Sequence, residues 1–91
     1  MLPVTWSASA LDNLTDIVTY IAERNPLAAD RLQQLIEAAI VPAAEHPYIY
    51  RSGRVPGTRE IVVHPNYVLV YRIKVEAVEV LAVLHARQEY P

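Results

Sequence analysis

The 91-residue chain contains no cysteine, so no disulfide braces it and no thiolate is on hand for a metal. Only two glycines stand against 53% hydrophobic residues, a balance that argues against a disordered chain. No apolar run approaches the ~20 residues that a membrane-spanning helix needs, so a soluble protein with no membrane partner is expected. Met1-Leu2-Pro3-Val4 lacks the basic-then-apolar pattern of a secretion signal, and a cytoplasmic location is expected with it. The single lysine, Lys74, leaves seven of the eight basic residues as arginine. The planar guanidinium suits bidentate recognition of carboxylate or phosphate better than diffuse attraction to nucleic acid.

Several chemical signatures are missing as well. The three histidines lie far apart at positions 46, 64 and 85, with no His-x-x-x-His, so neither a metal site nor a cofactor is expected. Gly53 and Gly57 are not followed by Lys-Ser/Thr, so they make no phosphate-cradling loop; they let a tight connection turn. No nucleophile elbow or paired-carboxylate motif appears.

What is present begins with Arg59 to Arg72. Two runs of β-branched and aromatic residues hinge at Pro65-Asn66, where Pro presets one turn dihedral and Asn tolerates the next. Ala77 to His85 is again rich in Val and Leu, which predicts a three-stranded antiparallel meander over 58–86. Upstream, Leu2, Val4 and Trp6 alternate weakly, and Pro3 confines that short strand to an edge or a strand start. Ser7 and Ser9 offer helix caps. Leu11, Leu14, Ile17, Val18, Ile21 and Ala22 then recur at helical spacing, predicting a helix over 8–24.

Asn25-Pro26 ends that helix and opens another over 27–44, whose apolar stripe runs Ala28, Leu32, Leu35, Ile36, Ala39, Ile40 and Ala43. Pro42 should kink or loosen its last turn. Residues 46–58 read as irregular, with Tyr48 and Tyr50 either forming a short edge strand or packing over the open end of the core; packing is favoured. The expected fold is α+β, in the order β-αα-βββ, a helical hairpin on one face of a small, mainly antiparallel sheet. One domain over residues 1–91 is expected.

Side-chain parity divides each strand into two faces. It assigns Tyr67, Leu69, Tyr71 and Ile73, together with Val78, Val80, Ala82, Leu84 and Ala86, to the helices. The other side should then hold an apolar patch rimmed by Arg72, His85 and Arg87, a pattern that marks a binding surface. Charge is divided along the chain: residues 1–50 carry six acids and two bases, and residues 51–91 six bases and four acids. His64, before Pro65 in a turn, reads as structural. His85, near Arg87 and Tyr90, could serve metal-free RNA cleavage, with a base at the ribose hydroxyl and arginine at the phosphorane, or could simply be a surface residue.

Taken together, Trp6-Ser7, Ile21-Ala22 ahead of Asn25-Pro26, Arg54-Val55-Pro56-Gly57 leading to Arg59-Glu60, His64-Pro65-Asn66-Tyr67, Val70-Tyr71-Arg72 and His85-Ala86-Arg87 resemble the RelE/ParE superfamily of bacterial toxins, most closely its ParE branch. The resemblance runs from Val4 to Pro91. It implies a toxin neutralised by a cognate antitoxin protein in a hetero-oligomer, and two alternative targets. ParE-like members inhibit DNA gyrase; RelE-like members cut ribosome-bound mRNA. The nucleases carry an Arg where this chain has Val68, in Tyr67-Val68-Leu69-Val70-Tyr71, and a protein docking on ribosomal RNA is expected to be basic, whereas the net charge here is −2. Gyrase is therefore the expected target, with Arg59, Arg72, His85, Arg87 and Tyr90 as the surface that grips target or antitoxin. Under the nuclease alternative, His85, Arg87, Arg72 and Tyr90 would be catalytic.

Overall fold

Ser7 shows how the chain begins to fold. Its extended backbone leaves the hydroxyl free to accept the Ala10 N–H at 3.0 Å, which caps the helix that follows. In the computed structural model, which describes residues 1–89, the elements are β1 (Val4–Trp6), α1 (Ala8–Ala22), α2 (Pro26–Ala39), α3 (Val41–Glu45), β2 (Arg51–Ser52), β3 (Arg59–His64), β4 (Tyr67–Ile73) and β5 (Val78–His85). Asn25 repeats the capping device for α2, its Oδ1 accepting the Ala28 N–H at 3.0 Å, with Pro26 at the first helical position. The second helix is shorter than the periodicity predicts. It stops at Ile40, and Pro42 sits in the first turn of the separate α3, where its missing N–H costs no hydrogen bond.

The five strands form one sheet in the order β1-β5-β4-β3-β2. All neighbours are antiparallel except β1, which lies parallel to β5 on the edge, starting directly after Pro3. The two-residue β2, one step beyond Tyr50, pairs Arg51 with Glu60 and Ser52 with Arg59. It covers only the first two residues of β3, so among the described residues no strand pairs with the outer edge of Ile61–His64. Val62 there is 58% exposed.

The helices close one side of the sheet. Ala10 and Leu14 of α1 and Leu32 and Ile36 of α2 meet Ile61, Leu69, Tyr71, Val78, Val80 and Val83 in the main core. Each large aliphatic side chain removed from water there stabilises the fold by about 1.5–3 kcal/mol. Leu11 and Leu35, on the predicted stripes, lie at their margins and remain about half exposed. No helix among the described residues is long and apolar enough to cross a membrane.

One irregularity in β5 governs everything beyond it. Val70 is opposite Ala82 but the next residue, Tyr71, is opposite Val80, so Leu81 is an extra residue, a β-bulge. Three bonds fasten it to α1: the Ser7 N–H donates to the Val80 carbonyl at 2.9 Å, the Ser7 hydroxyl to the Leu81 carbonyl at 3.1 Å, and the Val83 N–H to Asn13 Oδ1 at 3.1 Å. The bulge inverts the parity of the strand. Val83 and His85, not Ala82 and Leu84, lie on the helix side, and Leu84 joins Val68 and Val70 in a second apolar cluster behind the sheet. Ser7→Ala removes both the cap and the bulge anchor. It is expected to cost about 1–2 kcal/mol, a fall in Tm of roughly 5–10 °C by calorimetry.

Candidate functional site

Because of the bulge at Leu81 and a second register shift in β3, between Val62 and His64, the residues His64, Tyr67 and His85 fall into register across three adjacent strands on the helix side. Their ring centroids are 5.9 and 5.7 Å apart, the second pair edge to face. His64 Nδ1 accepts the Asn66 N–H at 3.1 Å and His85 Nδ1 accepts the Arg87 N–H at 3.2 Å. An acceptor at Nδ1 leaves the proton of each neutral ring on Nε2, so both imidazoles present a donor away from their turns. Tyr67 and His85, without His64, line a cleft of about 430 Å³ to which α1 adds Asn13, Asp16 and Tyr20, with Gln88 on its rim. The Arg24 guanidinium stacks 4.3 Å from the Tyr20 ring. The structural role read for His64 is visible in its bond to the turn. The partnership with Tyr67 was hidden by the register shift in β3 between Val62 and His64.

Of the residues expected to form one recognition surface, the structure brings His85 and Arg87 together at this end, through the Arg87 N–H. Arg72 belongs to the back of the sheet toward its opposite end, where its Nε donates to Glu79 Oε1 at 2.7 Å. The expected rim of Arg72, His85 and Arg87 around one patch therefore does not form: the extra residue at Leu81 turns His85 to the other side from Arg72. Tyr90 lies outside the described residues.

Arg59 faces the helix side near that opposite end, in register with Tyr71. Its Nη1 donates to the Tyr50 carbonyl at 2.7 Å and the Tyr48 carbonyl at 3.4 Å, and its guanidinium lies 4.9 Å from the Tyr48 ring. Tyr71, fully buried, donates its hydroxyl to the Pro47 carbonyl at 2.6 Å, and the Tyr50 ring meets it edge-on. Burial pushes the Tyr71 phenol above its ordinary pKa, with the Arg59 charge pulling the other way. Tyr50 thus packs against the core as favoured, whereas Tyr48 is 72% exposed and its ring meets Arg59 rather than the core.

The back of the sheet is less open than parity suggests. Val68, Val70 and Leu84 are buried there, and beside them Glu60 is only 4% exposed. Its carboxylate accepts from Arg51 Nη2 at 3.2 Å and from the Arg54 N–H at 3.0 Å, and it lies 3.7 Å from Arg54 Nε. Arg54 Nη1 continues to the Gln88 carbonyl at 3.2 Å, so one arginine links β3 to the segment after β5. Sequence reasoning missed Glu60; its place in the run Arg54 to Glu60 was the available signal. Among the described residues no three His, Asp or Glu side chains cluster to hold a metal.

Residues 4–90 match the family described as the ParE toxin of the type II toxin–antitoxin system parDE. The chain is 39% identical over 89 residues to the Y4kP protein of Sinorhizobium fredii, covering 97% of this chain and 92% of that protein. Toxin RelE2 of Caulobacter vibrioides is 36% identical, covering 94% and 97%. The structure of the chromosomal ParDE system from P. aeruginosa superposes with a TM-score of 0.83 at 20% identity, covering 93% of this chain and 96% of that one. A YoeB/ParE toxin from Agrobacterium tumefaciens gives 0.66 at 18% identity, covering 98% and 100%. At such identities the two structures speak for the fold.

Proposed function

The chain belongs to the ParE toxin family of the RelE/ParE superfamily, the toxins of type II toxin–antitoxin modules, and from that premise we propose that it acts by binding and inhibiting DNA gyrase. A cognate antitoxin that neutralises it in a hetero-oligomer is the partner this family implies. We place that action in the cytoplasm, where gyrase works.

The observation that carries the gyrase reading is Val68. It stands where the ribosome-dependent nucleases carry arginine, and it is 4% exposed in an apolar cluster with Val70 and Leu84. Metal-free cleavage of RNA needs a base, a phosphate ligand and an acid converging on one phosphodiester. Here His85 and Arg72 are on opposite faces, and Arg72 is paired with Glu79. The net charge of −2 also supports a protein target over ribosomal RNA. His85 and Arg87 at the hairpin end, Arg59 in its own cleft, Arg72 behind the sheet, and Tyr90, outside the described residues, are the side chains we propose for recognition of target or antitoxin.

The test is a supercoiling assay with purified chain and gyrase. Inhibition is expected, with His85→Ala raising the half-inhibitory concentration by about two- to fivefold, since binding energy is shared among several contacts. Unimpaired supercoiling, with transcripts cut in a coupled translation reaction, would replace this reading with the nuclease.

A further inference from the structure

In its surroundings Arg59 differs from Arg51, Arg54 and Arg72. Arg51, Arg54 and Arg72 each have a carboxylate within 4 Å, at Glu60 or Glu79. Arg59 has none among the described residues, and its bonds all run through one nitrogen, Nη1, to neutral carbonyls. Nε and Nη2, the edge of the fork that matches a carboxylate, have no acceptor among the described residues. This cation lines a cleft of about 380 Å³ whose other walls include Tyr48, Ser52, Val55, Gly57 and Ile73.

Every one of those walls is uncharged. One guanidinium in a neutral, partly apolar cleft balances one negative charge and offers two parallel N–H donors to it. A phosphate, carrying up to two charges, is ordinarily held by more than one cation or by a nest of backbone amides, and a nucleic acid by a stripe of bases. The Arg59 backbone is held in the sheet, and its Nη1 is fixed by Tyr48 and Tyr50, so little side-chain freedom remains to be lost on binding.

We propose that this cleft is a carboxylate-binding site that receives one Asp or Glu side chain of a partner protein, in a bidentate pair with Arg59. The inference goes beyond gyrase inhibition and does not depend on it, because the binding measurement contains no gyrase.

Ser52 provides the sharpest test. It is exposed and directly opposite Arg59 in the β2–β3 pairing, so the two side chains share a face. Ser52→Glu therefore places a tethered carboxylate at the mouth of the same fork without touching the core. The experiment titrates isotope-labelled full-length chain, at fixed ionic strength, with the blocked tripeptides acetyl-Ala-Glu-Ala-amide and acetyl-Ala-Gln-Ala-amide and with inorganic phosphate. The glutamate peptide is expected to give saturable shifts at the amides of Ser52, Gly53, Gly57 and Thr58, with the glutamine peptide at least about tenfold weaker.

Ser52→Glu is expected to weaken the glutamate peptide about fivefold or more, and Arg59→Lys, which keeps the charge and loses the fork, about threefold or more. Equal binding of the two peptides, saturation by phosphate at lower concentration than by the glutamate peptide, or unchanged binding in Ser52→Glu would each overturn the proposal. A chain that inhibits gyrase yet treats both peptides alike would sink this inference alone.

Discussion

Tyr71→Ala is expected to lower the stability of the chain by about 3–5 kcal/mol, the range for truncating a large buried aromatic. Tyr71 is the largest fully buried side chain. Its ring sits in the main core between the helices and the sheet, and its hydroxyl ties the Pro47 carbonyl to β4. Against a typical domain stability of about 5–15 kcal/mol, a loss of that size brings the chain near unfolding at ambient temperature. Urea denaturation followed by circular dichroism would show it; a loss below about 1 kcal/mol would mean the ring is not part of the core.

The conservative change Tyr71→Phe keeps the ring and leaves the Pro47 carbonyl without its donor, for an expected loss of about 1–2 kcal/mol. It carries a pH signature as well. Burial raises the folded-state pKa of Tyr71 above the ordinary value of 10.0. Above that pH the unfolded chain releases the phenolic proton while the native chain still holds it. The contribution is therefore fully present below about pH 10 and is lost as pH rises through the folded value. The stability difference between wild type and Tyr71→Phe should narrow along that alkaline limb and stay constant between pH 7 and 9.

Glu60→Ala carries the second large effect, about 2–3 kcal/mol, or roughly 10–20 °C in Tm for a domain of this size. The carboxylate is 4% exposed and receives one backbone N–H and two guanidinium groups. Removing one member of a buried pair commonly costs about 3–5 kcal/mol because the surviving charge is stranded. The expectation here is smaller, since the side chains of Arg51 and Arg54 are 60% and 42% exposed and can be rehydrated. The loss should be accompanied by faster amide hydrogen exchange across residues 51–58, whose anchor to β3 is gone. A Tm shift below about 4 °C would show the ion pairs to be ordinary surface contacts.

How much of this was legible in the sequence depended on whether a segment's two faces differ in polarity. α1 was readable because Asp12 and Asp16 fall off an apolar stripe that recurs at helical spacing, and its start was readable from Ser7. The break between α2 and α3 was signalled by Pro42 and only its severity was underestimated. β4 was assigned correctly because Arg72 and Lys74 mark the side away from the helices.

β5 defeated the same method. From Val80 to Leu84 every residue is apolar, so alternation contains no information about which way each points, and an inserted residue leaves no trace. The recognition residues inherited that error. Arg72, His85 and Arg87 were placed on one rim by counting in twos across a strand that does not count in twos. Arg59 was singled out for its charge alone; the empty half of its fork is a property of its neighbours in space, which sequence order does not reveal.

The bulge also changes how relatives should be aligned. Omit one residue between Val80 and Ala82, and the second half of the strand rolls over by half a turn, carrying its terminal His-Ala-Arg to the opposite solvent front. Two proteins that match letter for letter at that motif would then offer it to different binding partners, and a single-residue gap in this strand would predict a change of specificity better than any substitution within it.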